Sequence, residues 1–152
     1  MNEKQYDPPM HSAEHLLNQT MVRMFGCGRA FSSHIERKKS KCDYRMNRAL
    51  TNEELVEIEQ RVNEIINQYL AITEEFITRA DAALHFNLSR LPESAGDRIR
   101  IVRIGAYDAC PCIGPHVANT QQIGKFMIIS SDYNEGVVRI RFKAIQSTFS
   151  TL

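Results

Sequence analysis

The sequence predicts an α+β domain, with a mainly antiparallel sheet packed against helices. Two observations carry that prediction. The β-rich runs come in hairpin pairs joined by short turns, and amphipathic helical segments stand between those pairs rather than alternating with single strands. The length, 152 residues, suits a single domain spanning 1–152 with an ordinary core. At 43% hydrophobic and 24% charged the composition is that of a globular protein.

Taken in order, residues 1–9, ending at Pro8-Pro9, read as disordered, and a first helix is expected from about His11 to Phe25. Gly26-Cys27-Gly28 ends it. Phe31 to Arg37 and Lys41 to Met46 read as two strands around the basic turn Lys38-Lys39-Ser40. Thr51-Asn52-Glu53-Glu54 is a capping box, in which threonine and glutamate satisfy each other's backbone N–H groups. Behind it Leu55, Ile58, Val62, Ile65 and Tyr69 form one apolar stripe. Ile72 to Thr78 reads as a short strand, Arg79 to Phe86 as a short helix, and Leu91 to Gly96 as a loop. Ile99, Ile101 and Ile104 anchor another strand, and Lys125 to Ser131 with Val137 to Phe142 form the last hairpin.

Two short motifs stand out against this background. His11-Ser12-Ala13-Glu14-His15 opens the first helical segment, and Cys112-Ile113-Gly114-Pro115-His116 lies in a turn-rich stretch about a hundred residues later. Each places two good zinc ligands four positions apart, and on a helix residues i and i+4 share a face. Three imidazoles and a thiolate form a borderline ligand set that suits tetrahedral zinc. His11, His15, Cys112 and His116 are therefore the expected ligands of one zinc per chain. Cys110 is a rival to Cys112, while Cys27 and Cys42 read as small apolar fillers. Asp108 could orient a ligand histidine or a water, or cap a turn. Ser32 and His34 share one face of a strand, where they could line a pocket or face solvent.

The same residues carry a family resemblance. His11-Ser12-Ala13-Glu14-His15-Leu16-Leu17 resembles the HTxxHLL signature of the alanyl-tRNA synthetase editing domain and of its free-standing AlaX relatives. Residues 108–117, from Asp108 through Cys112 and His116 to Val117, resemble their DxQPCGGTHV. Asn119-Thr120-Gln121-Gln122-Ile123-Gly124 is similar to their NTGEIG, and residues 137–142 to a closing strand. Cys42-Asp43-Tyr44 falls where the family often has FDF. The second additional domain of threonyl-tRNA synthetase is related. The chain departs from the pattern at Ile113-Gly114-Pro115, which replaces Gly-Gly-Thr, at Cys110 for glutamine, and at Gln122 for glutamate. Isoleucine adds bulk and proline fixes φ, so a smaller or differently shaped acyl pocket is expected.

The resemblance implies a zinc-dependent hydrolase that deacylates mischarged tRNA in trans, Ser- or Gly-tRNAAla being the expected substrates. The alternative is a non-catalytic, zinc-stabilised tRNA- or protein-binding module. On the enzyme reading Asp108 and Glu14 are the candidate catalytic carboxylates, and Ser32, His34 and Thr120 the candidate substrate contacts. The run His11 to His15 also matches the inverted zinc-protease motif HxxEH, but that reading leaves Cys112 and His116 unexplained. The chain is too short to hold an aminoacylation domain as well. The expected partner is aminoacyl-tRNA, not DNA, and the chain is expected to be a monomer or a homodimer. Seven basic residues against two acidic ones between Arg29 and Arg48 could meet a phosphate backbone, or form a solvated hairpin tip. The absence of an apolar leader or a membrane-length run, with four cysteines, points to a reducing cytoplasm.

Overall fold

Asp7 caps the first helix by accepting from the Met10 N–H, and Pro8 and Pro9 occupy the first helical positions, where a missing N–H costs nothing. The two prolines thus belong to the helix, and residues 1–6 of the expected disordered start lie outside the described residues. In the computed structural model, which describes residues 7–89, 91 and 96–146, this helix α1 runs Pro8–Phe25. It stops where Gly26 takes a left-handed conformation (φ 67°).

Seven strands follow among the described residues: β1 (Ser32–His34), β2 (Ser40–Arg45), β3 (Ile72–Thr78), β4 (Arg98–Ile104), β5 (Asp108–Pro111), β6 (Lys125–Asn134) and β7 (Val137–Ile145). The architecture is α+β and antiparallel throughout, with two sheets, ordered β1-β2-β7-β6 and β3-β4-β5. Helices α2 (Asn52–Ile66) and α3 (Arg79–His85) complete it. The expected loop after Leu91 lies mostly outside the described residues. β5 covers residues for which the sequence analysis names no strand.

The capping box of α2 is present, with the Glu54 N–H donating to Thr51 and the Thr51 N–H to Glu54 (3.1 and 2.8 Å). Its buried stripe is Ile58, Val62 and Ile66, flanked by half-buried Leu55 and Ile65. Tyr69 leaves the stripe, because the helix has ended and φ has turned to 54° there. Asn63 and Glu59 of α2 bond the backbone of β6 at Phe126 and Ile128, so the helix covers that sheet edge.

The inner face of the four-stranded sheet presents Cys42, Tyr44, Val138, Ile140 and Phe142 to α1 and α2, making the main core. Ser32 pairs with Asp43, Ser33 with Cys42 and His34 with Lys41. Directly opposed residues share a face, so Ser33 points inward and Ser32 and His34 point outward, away from α1. A smaller core of Ala82, Ile99 and Ile101 lies between α3 and the three-stranded sheet. Helix α1 runs between the four-stranded sheet and β5, and for that reason Met10 through Asn18 are buried on every side. No helix among the described residues is long and apolar enough to cross a membrane.

Candidate metal centre

Helix α1 aims one stripe, His11, His15, Gln19 and Arg23, at β5 and the loops around it. The four are spaced i, i+4, i+8 and i+12, close to one face of a 3.6-residue helix. His11 Nδ1 meets the Pro115 carbonyl (3.1 Å), His15 Nδ1 faces Asp108 (3.5 Å), Gln19 donates to Asp108 (2.9 Å), and Arg23 donates to the Tyr107 carbonyl (2.8 Å). The strand and loop thus run antiparallel to the helix, and this register carries Cys112 and His116 to the His11 end.

His11, His15, Cys112 and His116 form one cluster whose ligand atoms all lie within 4.8 Å of one another. Cys112 Sγ is 3.3 Å from His11 Nε2 and 3.5 Å from His116 Nε2. Bond lengths of ~2.3 Å to sulfur and ~2.05 Å to nitrogen, at a tetrahedral angle, require about 3.6 Å between such atoms. The spacing is therefore already near that of a zinc tetrahedron. Cys110 is left out of the cluster, and its thiol turns to the Pro111 carbonyl.

The outer nitrogens complete the fit. His116 Nδ1 bonds the Ser12 hydroxyl (2.9 Å), which also accepts from the Val117 N–H, and His11 Nδ1 donates to the Pro115 carbonyl. The carbonyl requires a proton on His11 Nδ1, which leaves its Nε2 for a metal, and the Ser12 hydroxyl can accept from His116 Nδ1 in the same tautomer. His15 Nδ1 is the buried side-chain polar atom that makes no hydrogen bond among the described residues. At 3.5 Å its separation from Asp108 is an ion-pair distance rather than a hydrogen bond. A closure of a few tenths of an ångström would complete the carboxylate–histidine arrangement that orients metal ligands.

Burial opposes charge throughout the cluster, and specific partners override it. Burial would raise the Cys112 thiol, yet the surrounding imidazoles of His11, His116 and His15 bring it down to about 3. Burial would lower His15, yet Asp108 and the Cys112 thiolate raise it to about 10. Burial lowers His116 to about 4. Without metal the cluster holds a thiolate beside a protonated His15, and a metal must displace that proton. Asp108 is pushed up by burial, but His15 and Arg29 hold it well below the usual carboxylate range.

Asp108 is thus committed. Its fully buried carboxylate takes Arg29 on both oxygens (2.7 and 3.2 Å) and Gln19 on one. It faces His15 with both oxygens already engaged. Glu14 lies beside the ligands, with its carboxylate 3.7 Å from His11 Nε2. Thr120 has no exposed surface; its hydroxyl donates to the Ile66 carbonyl and accepts from the Leu70 N–H, tying the end of α2 to the turn after the metal loop. Its hydroxyl is thus engaged within the fold rather than turned to the cleft. Ser32 and His34 lie on the outer sheet face, and His34 pairs with Glu36 (2.9 Å), so neither lines the metal cleft.

Sequence reasoning missed four supports: Ser12, Gln19, Arg29 and Arg100. Arg100 donates to the Cys112 and Gly114 carbonyls (3.2 and 2.7 Å) and braces the metal loop from β4. Ser12 alone had a signal, because it sits inside the histidine motif.

A helix-borne histidine pair closed by a Cys–His loop, between two antiparallel sheets, makes a cluster that could hold a metal ion. Residues 99–141 match the family described as the threonyl and alanyl tRNA synthetase second additional domain. An alanine–tRNA ligase of Caldicellulosiruptor saccharolyticus is 37% identical over 133 residues, 86% of this chain and 15% of the ligase. One from Fervidobacterium nodosum is 32% identical over 132 residues, again 86% of this chain and 15% of the ligase. One from Methanocella arvoryzae is 28% identical over 147 residues, 93% of this chain and 17% of the ligase. The chain thus spans about a sixth of the length of the relatives it matches. It belongs to the alanyl-tRNA synthetase editing-domain family.

Proposed function

We propose that the protein is a zinc-dependent hydrolase that deacylates mischarged tRNA in trans, with Ser- or Gly-tRNAAla as substrate. The observation that carries this reading is the convergence of His11, His15, Cys112 and His116 with their outer nitrogens held by Pro115, Asp108 and Ser12. Zinc held there supplies a Lewis acid to polarise an ester carbonyl or a water. The remaining steps belong to the chain. Asp108, locked by Arg29, fixes the His15 ring. Glu14, the carboxylate beside the ligand atoms, accepts the proton of the attacking water. Ser32 and His34 share the outer sheet face with Lys41 and Arg141, where they would meet the tRNA rather than its acyl group. The exposed turn Arg37-Lys38-Lys39 would add phosphate contacts, and the compartment would be the cytoplasm.

Such an editing site has a physical rationale. A binding pocket separates amino acids that differ by a methyl or hydroxyl by only ~1–3 kcal/mol, so a second, hydrolytic site is needed to clear errors.

One observation favours a second reading. Four protein ligands fill a tetrahedron, as structural zinc sites do, whereas catalytic zinc keeps a position open. On that reading the chain is a zinc-stabilised binding module. Following labelled Ser-, Gly- and Ala-tRNAAla with zinc-loaded protein decides between them. Faster release of serine or glycine than of alanine is expected. Spontaneous rates for all three substrates would remove the enzyme and leave the module.

A further inference from the structure

The metal ligand Cys112 stands at the end of a row that crosses the three-stranded sheet. Its N–H donates to the Arg100 carbonyl (3.2 Å), extending the pairing of β5 with β4, and Arg100 in turn pairs with Phe76 on β3. Opposed residues share a face, so Cys112, Arg100 and Phe76 lie side by side on one surface. Two strand spacings of ~4.8 Å separate the ends of the row, placing Phe76 about 10 Å from the metal ligand.

That end of the row is open. Phe76 is 51% exposed, and Ile113 of the metal loop is 49% exposed. Together with Leu91, Arg98, Ile99 and Arg100 they line a cavity of about 200 Å³. This is smaller than the ~300–1,000 Å³ of a pocket that encloses a whole ligand, and it suits one planar ring. Arg98 is exposed and donates to the Phe76 carbonyl (3.3 Å), which holds its guanidinium beside the aromatic ring. The nearby Glu74 is neutralised by its ion pair with Arg100, so the surface keeps the charge of Arg98. An exposed aromatic ring with a cation beside it is the arrangement on which single-stranded nucleic acids stack a base and rest a phosphate.

We propose that Phe76 and Ile113 seat the terminal base of the tRNA 3′ end, with Arg98 at its phosphate, so that the ester of the same nucleoside reaches the metal cleft. This rests on tRNA being the substrate, and it puts the terminal base on the three-stranded sheet, apart from the phosphate contacts of the β1–β2 turn. The Ile113 that departs from the family pattern then shapes the base platform rather than the acyl pocket.

The chain contains no tryptophan, so Phe76→Trp introduces a single indole reporter at the platform. We expect uncharged tRNA with an intact 3′ end to quench that indole, and the same tRNA trimmed of its terminal adenosine to bind about tenfold more weakly, the order of one base–aromatic stack. In deacylation, Phe76→Ser should raise KM about tenfold with little change in kcat, and Phe76→Trp should restore KM. The quenching measurement needs no catalysis, so it stands or falls independently of the hydrolase reading. Equal quenching by intact and trimmed tRNA overturns the proposal. So does equal quenching by free adenosine monophosphate, which marks a mononucleotide site. A concentration-dependent emission shift without RNA would give the surface to a second copy of the chain, and overturns it too. If Phe76→Trp fails to fold, an unchanged KM in Phe76→Ser has the same consequence.

Discussion

Removing Arg29 should cost more stability than removing the charge of Asp108, although the two form a single ion pair. The Asp108 side chain is fully buried, whereas that of Arg29 is 30% exposed. Arg29→Met strips both charge-assisted donors from the carboxylate and leaves it Gln19 and the His15 ring. Breaking a buried pair in this way costs ~3–5 kcal/mol; with two partners remaining, about 2–3 kcal/mol is expected. Asp108→Asn leaves a guanidinium that water can reach, so its cost should be about 1 kcal/mol. Zinc affinity should show the opposite order. Asp108→Asn removes the carboxylate that orients His15 and should weaken zinc about 10–100-fold. The pH dependence has a definite sign. Asp108 lies below its ordinary value in the folded chain, so its stabilisation is present above pH ~4 and is lost as pH falls through the folded value. The gap between wild type and Arg29→Met should therefore narrow in acid. Urea unfolding of metal-free protein at pH 7 and below pH 4 measures the gap, and competition with a chromophoric chelator measures zinc. An Arg29→Met variant as stable as wild type, or an Asp108→Asn variant with unchanged zinc affinity, refutes the reasoning.

Metal analysis of purified variants should find zinc depleted in His15→Ala and Cys112→Ser but retained in Cys110→Ser, since Cys110 turns away from the cluster. Chelation of wild type should lower its Tm, because the metal binds the folded chain preferentially. Gly124→Ala should destabilise by at least ~2 kcal/mol in denaturant titration. Gly124 has φ 85°, and an added Cβ would come within 2.2 Å of the Ile145 carbonyl oxygen, a backbone atom that cannot swing aside.

The four clustered side chains were legible because each half of the candidate metal centre is a local spacing. His11 and His15 are one helical turn apart, and Cys112 and His116 sit in a short loop. The capping box at Thr51 and the positions of β3, β4, β6 and β7 were likewise written in nearby residues. β5 was missed because its four residues, Asp108–Pro111, carry no apolar alternation; their partners on β4 make the strand. The surroundings of Thr120 and Asp108 were hidden in the same manner. A polar side chain in a motif looks available until its fold partners are known, and both are consumed by neighbours from distant segments.

The sequence by itself determined which side chains could ligate a metal and which residues share a strand face, because both follow from helical and strand periods a few residues long. Only the tertiary structure decided that the two half-sites meet, through the antiparallel register of α1 against β5. It also decided which face of β1 is buried. Period two puts Ser32 and His34 together and Ser33 opposite, and pairing with Cys42, whose side chain lies in the core, turns Ser33 inward. Arg29 and Arg100 gained their roles the same way, because the carboxylate and carbonyls they hold lie 79 and 12–14 residues away along the chain. A local period fixes direction relative to the chain; only packing fixes direction relative to the core.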